Sequence, residues 1–170
     1  NGFGVAKLEM HAFIVTLGTS LICYGLANLY VEGQPSGSSM SLSTFDKRFI
    51  DIALYKVISI GSFRIPLLVI YFIVLAFIIH IVWTRTTLGK NMFAVGGNMD
   101  AAAVSGVNVK KTILGVFIMA GILYGIGSFL EAARIQSCNS NTGTNYELDA
   151  ISACVIGGVS FTGGVGNIPG

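Results

Sequence analysis

Of the chain's 170 residues, 53% are hydrophobic and only 11% charged, against about a quarter charged in soluble domains, so the composition excludes a water-soluble globular fold and indicates a membrane protein. The formal net charge of +2 is small, and the basic residues are not clustered on one face with interleaved aromatics, so nothing argues for a nucleic-acid partner. Three cysteines, Cys23, Cys138 and Cys154, include no CxxC pair and no His/Cys spacing suited to zinc, which supports neither a disulfide framework nor a metal site.

The chain opens at Asn1 without a methionine and stops at Pro169-Gly170 just after a glycine-rich run; it reads as an internal piece of a longer polypeptide, with further spans expected on both sides. Residues 1–11 suit the tail of a preceding helix. Lys7, Glu9 and His11 break this opening, and no secretory signal is visible. Ala12 to Tyr30 is 19 residues without a charge, about 28 Å of helix and close to the hydrocarbon thickness, hence a first span. Thr16, Thr19, Ser20 and Asn28 recur along it at helical spacings, as expected of interhelical hydrogen bonding, the alternative being that they line a polar path.

Val31 to Arg64 is a polar connection beginning with the Gly/Ser/Pro cluster EGQPSGSSMS, which predicts an exposed loop. Within it Phe45, Phe49, Ile52, Ala53 and Lys56 fall at 3- and 4-residue intervals, which predicts a short amphipathic helix packed on the protein's own face. Ile65 to Thr84 is the second span, with Pro66 near its start, where a missing amide costs little. His80 lies inside it close to the interfacial Trp83, without an acidic partner at a helical neighbour, and suits a neutral, hydrogen-bonded structural role rather than the alternative of a proton relay.

Thr84 to Lys111 is a polar connection carrying Arg85, Lys90, Lys110 and Lys111 against Asp100 alone, a net of +3; the positive-inside rule makes it cytoplasmic, although the 31–64 connection has four basic residues of its own. Inside it, Asn98-Met99-Asp100-Ala101-Ala102-Ala103-Val104-Ser105-Gly106 has an N-cap Asn, an acid in the first turn and a terminal Gly, which predicts a two-turn helix. Gly96 and Gly97 are expected to turn the backbone sharply before it. A helix of this length is unstable alone in water, so it must pack on its own protein or in a partner's groove.

Thr112 to Leu130 is the third span, where Gly121 and Gly125 form GxxxG and Gly115 and Gly127 extend the expected close-approach surface. A polar loop, Glu131 to Asp149, follows. Ala150 to Phe161 is an apolar run of 12 residues ended by TGGVGNIPG, too short to span, and predicts a broken or re-entrant helix. The glycines from Gly157 to Gly166 are not a nucleotide loop, because an apolar segment precedes them and no lysine follows. Tyr146-Glu147-Leu148-Asp149 places two acids before the short run with Asn145 as expected N-cap, a first-turn arrangement that requires no chemistry; the alternative puts Tyr146, Glu147, Asp149, Gly157 and Gly158 on a pathway or gate. No catalytic set of Ser/His/Asp or Cys/His offers itself.

Three stretches, AFIVTLGT at Ala12 to Thr19, LGKNMFAVGGNMDAAAVSGVNV at Leu88 to Val109 and YELDAISACVIGGVSFTGGVGN at Tyr146 to Asn167, resemble the permease subunits of bacterial ABC sugar importers of the ribose, xylose, arabinose and galactose group. LGKNMFAVGGN, FLEAARI and ACVIGGVSFTGGVG are most similar to the galactose/methyl-galactoside members. The resemblance implies an all-α polytopic helical bundle in the bacterial inner membrane. It implies a homodimer that receives sugar from a periplasmic binding protein and is driven by a cytoplasmic ATPase subunit holding ATP and magnesium, with no cofactor in this chain. It also implies that Gly97, Asn98, Asp100, Ala101, Ala102, Ser105, Gly106 and Val107 belong to the coupling helix seated in an ATPase groove. The competing classes are an ion-coupled secondary transporter or channel, for which embedded charges would be expected, and a branched-chain amino-acid ABC permease.

Overall fold

The computed structural model describes residues 1–33, 47–60, 63–136, 142–160 and 162–168. Along the chain these form α1 (Gly2–Lys7), α2 (Ala12–Glu32), α3 (Lys47–Leu54), β1 (Lys56–Ile60), β2 (Phe63–Pro66), α4 (Leu67–Arg85), α5 (Thr87–Gly97), α6 (Met99–Val104), α7 (Val109–Ile135) and α8 (Tyr146–Ile156). Residues 34–41 of the Gly/Ser/Pro cluster, Phe45, Cys138, Phe161 and Pro169 lie outside the described residues.

The membrane part is all-α. Helices α2, α4 and α7, of 21, 19 and 27 residues, are long and apolar enough to cross a bilayer, and the chain alone buries none of their most apolar windows. Their apolar residues run around every side rather than in a stripe, the pattern of a helix surrounded by apolar material. Each expected span is therefore present: α2 and α7 run past their expected ends into flanking polar residues, whereas α4 begins two residues later than expected, because Ile65 and Pro66 belong to β2.

Two compact units divide the chain, and each draws on portions of the three long helices. One comprises Thr19–Leu75 and Gly121–Thr142. Here α3 is the expected amphipathic helix: Ala53 is fully buried, and Phe49 meets Phe129 edge to face with ring centroids 5.1 Å apart. Lys56 departs from the expectation, since it opens β1 instead of extending the helix. The antiparallel ribbon of β1 and β2, with Ile60 opposite Phe63, is a β element that the polar composition of this connection did not announce. The Leu67 amide donates to the Tyr55 carbonyl at 2.9 Å, tying the start of α4 back to the end of α3. An apolar groove of about 550 Å³ lies in this unit, lined by Ile52, Tyr71, Leu75, Gly125, Ile126 and Phe129 among others.

The groove bears on the GxxxG expectation, which needs correction within this chain. A β-carbon placed on Gly121, Gly125 or Gly127 would meet nothing within 4 Å. Among the described residues no neighbour is laid against that face, so the close approach expected of these glycines is not made here. Gly115 does face a neighbour, the Leu88 side chain, which would lie 2.9 Å from an added β-carbon.

The other unit comprises Asn1–Gly18, Ala76–Ala120 and Gly143–Gly170. In it Gly2 of α1 is buried beside α7, where a β-carbon would come within 2.8 Å of the Phe117 Cβ. Glu9 and Lys110 form an exposed ion pair at 3.3 Å, of little energetic weight in that setting. This unit holds α5, α6, α8 and the glycine-rich stretch after α8.

Candidate functional site

Each of the three helices from Thr86 to the start of α7 has a side chain closing its N-terminus. The Gly89 amide donates to Thr86 Oγ1 at 3.3 Å for α5, the Ala101 amide to Asn98 Oδ1 at 2.9 Å for α6, and the Lys111 amide to Asn108 Oδ1 at 3.0 Å for α7. These bonds satisfy amides that a short helix would otherwise leave open. Thr86 also donates to the Val82 carbonyl at 2.5 Å, so the same hydroxyl joins the end of α4 to α5. Behind it Gly89 is buried against the Trp83 backbone so closely that any β-carbon would overlap the Trp83 carbonyl.

Helix α6 has the punctuation expected from its residues. Asp100 stands in the first turn, where a carboxylate is favoured by the unpaired amides. Gly106 ends the helix at φ 84°, and the amides of Gly106 and Val107 return to the carbonyls of Ala103 and Ala102, both at 3.0 Å. That pair of bonds is the Schellman arrangement, which glycine permits because it has no β-carbon to strain. Ser105 adds a hydroxyl bond to the Ala101 carbonyl at 2.8 Å.

The eight residues assigned to coupling thus lie in one continuous stretch, but they do not all face outward. Ala102 is buried, at 4% exposure, whereas Val104 is 91% exposed. Asp100, Ala101, Ser105 and Met99 are exposed as well. The outward surface of α6 is therefore made by Met99, Asp100, Ala101, Ala103, Val104 and Ser105, with Ala102 turned toward its own protein. Helix α5, absent from the sequence expectation, packs on α6.

Gly96 and Gly97 do not make the turn expected of them. Both are helical residues at the end of α5, and the bend falls at Asn98, in extended conformation. Their smallness serves a different purpose. A β-carbon on Gly96 would lie 2.7 Å from the Gly164 amide nitrogen, one on Gly163 2.8 Å from the Gly96 carbonyl oxygen, and one on Gly164 2.7 Å from the Gly97 Cα. Backbone meets backbone here with no side chain between. Gly163 and Gly164 have φ of 87° and 72°, the left-handed region that favours glycine.

That contact brings the stretch after α8 to the base of α6. Helix α8 ends at Gly157 and Gly158 in a second Schellman arrangement, with Gly158 at φ 84° and the amides of Gly158 and Val159 on the carbonyls of Val155 and Cys154 at 3.0 Å. A tight hook follows: the Ser160 amide donates to Val165, the Gly163 amide to Ser160, and the Thr162 amide to Ser160 Oγ at 3.2 Å. A cavity of about 150 Å³ separates part of this hook from Trp83, Met92 and Phe93; the two rings sit 6.0 Å apart.

Glu147 and Asp149 occupy the first turn of α8, exposed with Tyr146. Asn145 stands at the N-cap position, but its backbone is left-handed at φ 68° and its side chain makes no capping bond, contrary to expectation; its carbonyl receives the Leu148 amide instead. Along α8, Tyr146 lies about 16 Å and Asp149 about 12 Å from Gly157, so these five do not form one cluster.

The chain is 45% identical over 174 residues to the galactose/methyl galactoside import permease protein of Haemophilus influenzae, with 100% of the chain and 49% of that relative covered. It is 44% identical to the protein of the same description in Escherichia coli, at the same coverage. Identity to the xylose transport system permease protein of Haemophilus influenzae is 37%, with 98% of the chain and 46% of the relative covered. The chain spans about half the length of the curated relatives it matches. No solved structure matches. With three span-capable helices, the chain is a multi-pass protein of the inner membrane. The family model described as a branched-chain amino acid transport system permease component matches residues 1–170, and the chain belongs to that family of transport permeases.

Proposed function

We propose that this chain is part of the transmembrane permease subunit of an ATP-driven importer that moves a simple sugar, galactose or a methyl galactoside, across the bacterial inner membrane. The observation that carries the reading is the 45% identity, over the whole chain, to a galactose/methyl galactoside import permease. The xylose, arabinose and allose permeases among its other relatives favour a sugar over an amino acid. The partners are a cytoplasmic ABC ATPase subunit that holds ATP and magnesium, a periplasmic sugar-binding protein and a second permease copy.

On this reading the stretch Gly97, Asn98, Asp100, Ala101, Ala102, Ser105, Gly106 and Val107 is the coupling segment. Exposed Met99 and Val104 on a capped two-turn helix suit an apolar socket in the ATPase, and the basic excess of the 84–111 stretch suits a rim of carboxylates around it. Helix α8 is a re-entrant segment, with Glu147 and Asp149 on the pathway. Away from their ends, α2, α4 and α7 contain no charged residue, which disfavours an ion-coupled carrier.

The test is uptake of labelled galactose into vesicles holding the full-length permease with its ATPase and binding protein. Uptake should require ATP and be displaced by methyl galactoside but not by leucine. Uptake driven by a proton gradient without ATP would sink the proposal.

A further inference from the structure

We infer that the contact of Gly96 and Gly97 with Gly163 and Gly164 is the joint through which the coupling segment positions α8, and that these glycines are positioning residues for transport. The inference rests on the reading of α6 as the ATPase-facing helix.

Three observations carry it. The contact is backbone on backbone, with added β-carbons at 96, 163 and 164 falling 2.7 to 2.8 Å from main-chain atoms, so a displacement crosses it without loss to side-chain rotation. Both sides are internally stiff: α5 and α6 are capped by Thr86 and Asn98, and the hook is held by Ser160 to Val165, Gly163 to Ser160 and the paired hydroxyls of Ser160 and Thr162 at 2.7 Å. The hook also follows directly on the locked end of α8 at Gly158. A shift of α6 therefore carries the end of α5, the hook and α8 in turn, and the cavity of about 150 Å³ beside the hook leaves room for the movement.

The experiment uses the full-length permease with its ATPase and binding protein in proteoliposomes, reading ATPase association, ATP hydrolysis and galactose uptake together. Gly96→Ala and Gly164→Ala should keep the ATPase bound and hydrolysing while sugar moved per ATP falls by about tenfold. Gly25→Ala in α2, whose β-carbon meets open space, should keep the wild-type ratio. Ser160→Ala adds no volume and only loosens the hook, so it should lower the ratio even if the alanine variants fail to fold. A wild-type ratio in Gly96→Ala and Gly164→Ala, or a parallel loss of hydrolysis and uptake, would overturn the joint. A wild-type complex that neither binds the ATPase nor moves galactose would instead overturn the reading beneath it.

Discussion

Asn98 Oδ1 accepts the amide of Ala101 at 2.9 Å, and this bond holds the start of a helix only six residues long. Helices of that length do not persist by propensity, so the cap is a large share of what keeps α6 formed. Asn98→Ala is expected to cost about 1 kcal/mol of local stability, with Asn98→Asp close to wild type. Hydrogen exchange at the Ala101 amide, about fivefold faster in the alanine variant, checks this.

Gly106 and Gly158 sit at the same φ, 84°, at the ends of α6 and α8. Alanine at either pays the left-handed penalty, roughly 1–2 kcal/mol, and asparagine less. Thermal unfolding in nanodiscs should rank glycine above asparagine above alanine at both positions.

The opposed burial of Ala102 and Val104 separates partner binding from stability. Val104→Glu changes a residue that is 91% exposed, so it should leave the permease folded while weakening ATPase association by about tenfold or more. Ala102→Glu puts a charge at a buried position and should destabilise the permease itself. Co-purification of the ATPase, set beside thermal unfolding of each variant, distinguishes the two effects.

Gly89 is expected to tolerate no side chain. Because a β-carbon would overlap the Trp83 carbonyl, Gly89→Ala should cost about 1–3 kcal/mol through forced movement of the α4–α5 connection. An unfolding temperature equal to wild type would show that the connection gives way more easily than its packing suggests.

Phe49 and Phe129 meet edge to face at 5.1 Å. A double-mutant cycle with alanine at each should return a coupling of about 0.5–1.5 kcal/mol, the range for such pairs. Loss of either ring should release α3 and raise the protease sensitivity of Lys47 and Arg48.

What the residues announced and what they withheld follows a physical line. The three spans are legible because length and the lack of charge decide them, and α6 because its start and stop are written in Asn98, Asp100 and Gly106. Helix α5 is not legible although Thr86 stands three residues before Gly89 with Leu88, Met92 and Phe93 following, since these residues sit in a stretch marked as polar by Arg85 and Lys90. The glycines were the hardest to read. Composition shows that Gly96, Gly97, Gly121 and Gly125 are small, but what smallness is for depends on what lies opposite, and for Gly96 that is Gly164, far away along the chain.

Two helices here, α6 and α8, finish on a left-handed glycine whose own amide and the next one fold back onto the last turn. Neither can wind on by a further residue unless that glycine flips and both returning bonds break. Under load such elements keep their length and travel as fixed struts.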